Sequence, residues 1–223
     1  CSEHWLLLGV RPENMLLVDS KGIITEARRD AEDINEYKAR FASDVDDGDL
    51  AEAMKDADVF LGLSVGDIVS GDMLRSMAPR PLVFALANPD PEIMPDVAKA
   101  ARPDAVVASG RSDFANQVNN VLCFPFIFRG ALDVGATEIN DEMALACIEG
   151  IAQLARQTTS AEAAAAYQGE QMTFGPDYLI PKPFDPRVLL WVAPAVAKAA
   201  EASNVARNPI ADLDQYREQL HLL

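Results

Sequence analysis

The chain has 223 residues, 49% of them apolar, which suffices for a buried core in one large domain. Its 19 basic and 35 acidic residues give a formal net charge of -16, a field that repels nucleic acid and anionic membrane and argues against polyanion binding. Cys1, Cys123 and Cys147 form no C-x-x-C pair, no apolar stretch reaches the length of a membrane span and no signal-peptide pattern opens the chain, so the sequence suits a reducing cytoplasm without a disulfide framework or a zinc site.

The chain opens inside a helix that ends at Gly9, and Pro12 keeps it from resuming. Asn14 to Val18 follows as a buried strand closing on Asp19. In a dinucleotide fold, an acidic residue at the end of the second strand receives the adenosine ribose hydroxyls; a strand-ending aspartate can also merely cap a turn. The G-x-G-x-x-G turn that should precede this helix is not in the sequence. A fragment that begins just after the phosphate-cradling turn is therefore expected, with much weakened dinucleotide affinity. Ser20, Lys21 and Arg28 lie near Asp19, and a cation there can take the extra 2′-phosphate of NADP; for Lys21 the alternative is an exposed turn lysine. Asp44, Asp46, Asp47 and Asp49 adjoin Gly48 and precede a helix, which suits a solvated acidic loop better than a metal site.

Onward, strands and helices alternate. Helical spacing covers 49–55, 67–77 and 95–101, and short apolar strands cover 59–63, 82–87 and 105–108. Strands that are continuous and apolar belong in a parallel sheet covered on both faces, so the order implies an α/β, doubly wound, Rossmann-like sheet, amino-terminally truncated. Ligands of such sheets sit beyond the carboxyl ends of the strands, where this chain places Asp19, Gly62 with Ser64, Asn88, and Ser109 with Gly110. After Asn140 the character turns helical, with helices over 141–156 and 188–203, a helix and connector over 157–175 and a proline-extended segment over 174–186. The division expected is a truncated dinucleotide-binding domain at 1–140 and a helical extension at 141–223 packing on it.

Gly62-Leu63-Ser64-Val65-Gly66 matches G-x-S-x-G after a strand and before a helix, the setting of a serine hydrolase nucleophile. The only downstream histidine, His221, sits in a polar tail, and no glycine-rich oxyanion segment precedes the serine. A tight turn whose glycines admit a dinucleotide is the more economical reading. In the block Ser109 to Asn140, Asn116, Asn119 and Asn120 stand directly before an apolar, aromatic-rich helix. Side-chain amides can fix a carboxylate, a carboxamide or a ribose without adding charge, beside a wall that excludes water. Either Asn119 or Asn120 can instead cap the helix, and Asn88-Pro89 can be only a turn.

The block 109–140, Asn88-Pro89-Asp90-Pro91-Glu92 and the extended run Phe174 to Pro186 closely resemble the bacterial malic enzymes. The likeness covers nearly the whole chain and is most specific from Leu82 to Asn140; Ala115 stands where the family usually carries proline. The resemblance implies oxidation of malate at C2 by hydride transfer to a nicotinamide, then loss of carbon dioxide to give pyruvate. It implies NADP, or NAD, as cofactor, Asn88 beside the nicotinamide ribose and substrate, Asn119 on the cofactor and Asn120 on the substrate. The family's lysine and tyrosine acid–base pair and its acidic ligands for Mg2+ or Mn2+ come before the dinucleotide turn. This chain alone is therefore expected to be inactive, as part of a homo-oligomeric enzyme. A noncatalytic nucleotide-binding module or a structural dimerisation part is the alternative.

Overall fold

The computed structural model describes residues 1–31, 34–167 and 172–222, in two compact units, Cys1–Val106 and Val107–Leu223. In the first unit, α1 (Ser2–Leu7) stops before Gly9, whose φ of 92° is open to glycine, and Pro12–Asn14 forms a short 3₁₀ turn. β1 (Val18–Asp19) and β2 (Gly22–Ile23) make a two-stranded antiparallel hairpin. The strand expected over Asn14–Val18 thus keeps only its last residue. Gly22 turns the chain straight back at a φ of 107°, under the Gly48 carbonyl where no Cβ would fit.

Three short helices follow: α2 (Glu26–Ala31), α3 (Glu36–Ala39) and α4 (Leu50–Met54). α4 starts on a reciprocal cap in which Asp49 accepts from the Glu52 N–H and Glu52 accepts from the Asp49 N–H. The acidic loop before it is therefore partly a helix start. β3 (Val59–Gly62), β4 (Leu82–Ala85) and β5 (Val106–Ser109) form a sheet in that order, β3 and β4 running parallel with Val59 opposite Leu82 and Gly62 opposite Ala85. α5 (Gly71–Ser76) connects the first two strands and α6 (Pro95–Ala101) the next two, the βαβ crossovers of a Rossmann-like α/β fold. α5 begins later than its apolar spacing suggests. Asp67 adopts a left-handed φ of 59°, and the Ser70 hydroxyl caps the Met73 N–H.

Arg102, just past α6, holds the far end of this layer. Its guanidinium donates to the carbonyls of Leu74, Arg75, Met77 and Ala78 at 2.9–3.0 Å, satisfying acceptors that the end of α5 leaves open.

The second unit is helical: α7 (Phe124–Asp133), α8 (Asp141–Ala155), α9 (Ala161–Ala166), α10 (Arg187–Ala202) and α11 (Leu213–His221). α10 packs on both α7 and α8, and the core includes Leu122, Val134, Met143, Leu154, Val188, Val192 and Val196. At the α7–α10 crossing, a Cβ on Gly130 would lie 2.5 Å from the Ala193 carbonyl oxygen. Asn140 caps α8, as its position suggests, and its amide also reaches the Ser203 hydroxyl. The expected helix and connector over 157–175 contains α9; residues 168–171 of it lie outside the described residues.

The tail around His221, read from its composition as merely polar, is the amphipathic helix α11. Asp212 caps it, Tyr216 and Leu220 are buried, and the Tyr216 hydroxyl donates to Asp133, which also accepts from Arg129 at 2.7 Å. Among the described residues no helix is long and apolar enough to cross a membrane.

Candidate functional site

The hairpin that carries Asp19 is a charged turn closed on itself. The Asp19 carboxylate accepts from the Lys38 ammonium at 2.8 Å, the Lys21 N–H at 3.0 Å and the Arg28 guanidinium at 3.0 and 3.2 Å. Burial raises its pKa, but the bond from Lys38, the backbone bond from Lys21 and Arg28 together outweigh that and lower it to about 2. Asp19 is therefore ionised throughout the physiological range. Arg28 also donates to the Gly22 and Ile23 carbonyls at 2.9 Å, so it stitches the turn together while flanking the carboxylate. Ser20 and Lys21 are exposed at the tip of this hairpin. Lys38, on α3, was not singled out in the sequence; the pairing follows from tertiary packing, and no local pattern announces it.

At the carboxyl ends of β3 and β4 a second arrangement is built around Glu92. Its side chain has no exposed surface; one carboxylate oxygen accepts from the Ser64 N–H and the other from the Ala87 N–H, each at 3.0 Å. Gly62 faces this carboxylate, which occupies the space a Cβ would need, and Gly66 lies against Asp90. The Asp67 N–H to the Pro91 carbonyl and the Val69 N–H to the Glu92 carbonyl complete the tie between the two loops. Ser64 and Asn88 are exposed on these loops, and the Asn88–Pro89 peptide is cis. The glycines of G-x-S-x-G thus make room for Glu92 and Asp90. A nucleophile elbow requires a helix directly after its serine, whereas here α5 does not begin until Gly71, so the hydrolase reading falls. Glu92 was legible only as a carboxylate between Pro91 and Ile93, both of which the structure buries.

In the second unit the three asparagines separate by role. Asn116 is buried at a φ of 54°; its amide nitrogen donates to the Val107 and Pro176 carbonyls and its oxygen accepts from the Leu179 N–H. It holds the extended segment in place, with both amide hydrogens spent and its oxygen engaged inside the fold, so it is a structural residue, contrary to the expectation for all three. Asn119 and Asn120 are exposed. Asn119 caps the 3₁₀ turn Asn120–Leu122 by accepting from the Val121 N–H at 3.0 Å, a bond that uses its oxygen and not its amide nitrogen.

Each unit thus presents polar groups on its loops and turns: Asp19, Ser64 and Asn88 in the first, Asn119 and Asn120 in the second. A family model described as malic enzyme, NAD binding domain matches residues 11–167. The chain belongs to the malic enzyme family. It is 54% identical over 221 residues to an NAD-dependent malic enzyme of Rhizobium meliloti (strain 1021) and 51% identical over 222 residues to an NADP-dependent malic enzyme of Escherichia coli (strain K12). Each alignment takes in 99% of this chain but only 28% and 29% of the relative, respectively. Among solved structures, a malic enzyme of Entamoeba histolytica superposes with a TM-score of 0.84 at 33% identity, covering 100% of this chain and 44% of that one. A malic enzyme of Pyrococcus horikoshii gives 0.82 at 34%, covering 98% and 48%.

The matched part is the family's NAD-binding domain, so the Rossmann-like reading and the malic enzyme resemblance both hold. Among the described residues no group of three or more His, Cys, Asp or Glu side chains could hold a metal ion. The described residues therefore do not fit the divalent cation of a malic enzyme.

Proposed function

We propose that this chain is the cofactor- and substrate-binding portion of an NAD(P)-dependent malic enzyme that converts malate to pyruvate and carbon dioxide. The observation that carries this is the match of 11–167 to the family's NAD-binding domain, joined to exposed Asn88, Asn119 and Asn120 on strand-end and helix-start loops. Asn88 and Asn119 orient the nicotinamide and its ribose by hydrogen bonds, and Asn120 takes a substrate carboxylate. Ser64 lies on a loop held rigid by Glu92, where the dinucleotide passes close to the backbone. A nicotinamide held by Asn88 and Asn119 would supply the hydride acceptor for oxidation at C2 of malate.

The Asp19 turn supports NADP over NAD. Arg28 and Lys38 set two cations about one carboxylate, in a turn closed by the Lys21 N–H and carrying the exposed Lys21, within a chain otherwise rich in acid, which suits a 2′-phosphate beside Asp19 and Ser20. Residues 1–140 are assigned to the dinucleotide-binding part and 141–223 to a helical extension, whose α10 packs on α7. A cytoplasmic homo-oligomer completes the proposal, supported by three free cysteines and by the exposed apolar stripe Phe124, Phe128 and Leu132 along α7.

Calorimetric titration of the purified chain with NADP and NAD tests this. Weak saturable binding that favours NADP and is lost on joint replacement of Asn88 and Asn119 by alanine is expected, with no malate-dependent reduction of cofactor in Mg2+ or Mn2+. Absence of dinucleotide binding at every attainable concentration would overturn the cofactor assignment. Turnover of malate by the chain alone would overturn the division of labour.

A further inference from the structure

Cys123 and Cys147 come from separate elements and face each other. Cys123 ends the 3₁₀ turn that starts at Asn120 and immediately precedes α7; Cys147 lies in the middle of α8. Their sulfurs are 3.3 Å apart, with the Cys147 thiol donating to Cys123. Cys147 is 1% exposed, whereas Cys123 is only partly buried. We propose that Cys123 and Cys147 form a reversible dithiol–disulfide couple, reactive toward low-molecular-weight disulfides, that fastens the asparagine-bearing turn to α8.

Closing the bond shortens the sulfur separation from 3.3 Å to ~2.05 Å. The roles of the two sulfurs are distinct. The hydrogen bond from Cys147 stabilises the Cys123 thiolate and, against the opposing effect of burial, lowers that thiol to about 7; the same bond and burial push Cys147 upward. Cys123 is the attacking group. Its thiolate displaces one half of the external disulfide as a thiolate, giving a mixed disulfide on Cys123. Cys147 then attacks the Cys123 sulfur, expels the second half, and its proton leaves with that thiol. Two protein thiols are oxidised by two electrons and one external disulfide is reduced to two thiols. Internal disulfides in proteins of reducing compartments are characteristically transient and redox-sensing, which this geometry fits.

The element tied down is the one that matters. The Cys123 N–H donates to the Asn120 carbonyl, and the Cys123 carbonyl accepts from the N–H groups of Phe126 and Ile127. A covalent tether at Cys123 therefore restrains the turn of Asn119 and Asn120 from its carboxyl side.

The test uses the chain with exposed Cys1 replaced, Cys1→Ser, incubated with oxidised glutathione under native conditions. Loss of both thiols together is expected, with a mass decrease of two hydrogens, no retained glutathione, recovery in dithiothreitol, and slower amide exchange over 119–127 in the oxidised form. In the same background Cys147→Ser should stop with one glutathione on Cys123, and Cys123→Ser should leave Cys147 unreacted. Peptide mapping of the unaltered chain should find the same 123–147 link. Stable glutathione on Cys123 with Cys147 present, thiols that react only after denaturation, or unchanged exchange over 119–127 would overturn the proposal. None of these readouts involves dinucleotide or malate, so failure here is separable from failure of the functional assignment.

Discussion

A carboxylate without exposed surface persists in a fold only when its lone pairs are met, and Glu92 meets them with two backbone N–H groups from different loops. Glu92→Ala removes both acceptors and leaves the donors of Ser64 and Ala87 buried or constrained, at a cost of about 2–4 kcal/mol in urea denaturation. A change under about 0.5 kcal/mol would mean that water replaces the carboxylate freely. Asp19 is a second case, governed by protons. Its pKa in the fold is about 2 against an ordinary 3.8, so its contribution is present above the ordinary value and lost as pH falls through the folded one. After discounting for solvent around the exposed Lys38, the contribution is about 1–2 kcal/mol. Asp19→Asn should be destabilised by that amount near neutrality, and the difference from the unaltered chain should vanish between pH 3.8 and about 2 in acid-denaturation curves. Residue types showed where polar groups gather but not whom they bond. Asn116, Asn119 and Asn120 look alike in sequence; only the fold reveals that Asn116 is consumed by Val107, Pro176 and Leu179.

Elements separate local propensity from packing. Gly130 lies inside α7, where alanine would favour the helix by ~1 kcal/mol if α7 stood alone. Its contact with the Ala193 carbonyl and Val196 on α10 reverses the sign, and Gly130→Ala should cost about 1–3 kcal/mol in thermal or urea unfolding. Stabilisation instead would show that α10 can retreat from α7 without loss. The same distinction explains which elements were legible. α8 and α10 declare themselves by long apolar periodicity, α8 also by its capping asparagine, and β3 to β5 by short apolar runs. α11 was hidden because most of its surface is polar and only Tyr216 and Leu220 enter the core. The residues before Asp19 read as one longer strand because the reversal at Gly22 depends on Gly48, distant in sequence.

At the scale of the whole molecule the acidic excess is the dominant long-range term. A formal charge of -16 on 223 residues makes like-charge repulsion oppose the compact state. Raising ionic strength from ~10 mM to ~150 mM shortens the screening length from about 30 Å to 8 Å and should raise the melting temperature by a few degrees. A fall would show that the ion pairs contribute more than the repulsion. The Rossmann-like class was readable from alternating elements, and the family from the asparagine-rich block; the charged turn and the Glu92 tie required coordinates.

Arg102 bears on how such a molecule comes apart. A guanidinium never sheds its proton in proteins, and four of its acceptors, the carbonyls of Leu74, Arg75, Met77 and Ala78, do not ionise. Acid therefore has no handle on those four contacts, while it disarms the carboxylate that gathers Lys38 and Arg28. Souring the solution should fray the amino-terminal hairpin first and leave the α5 end clasped.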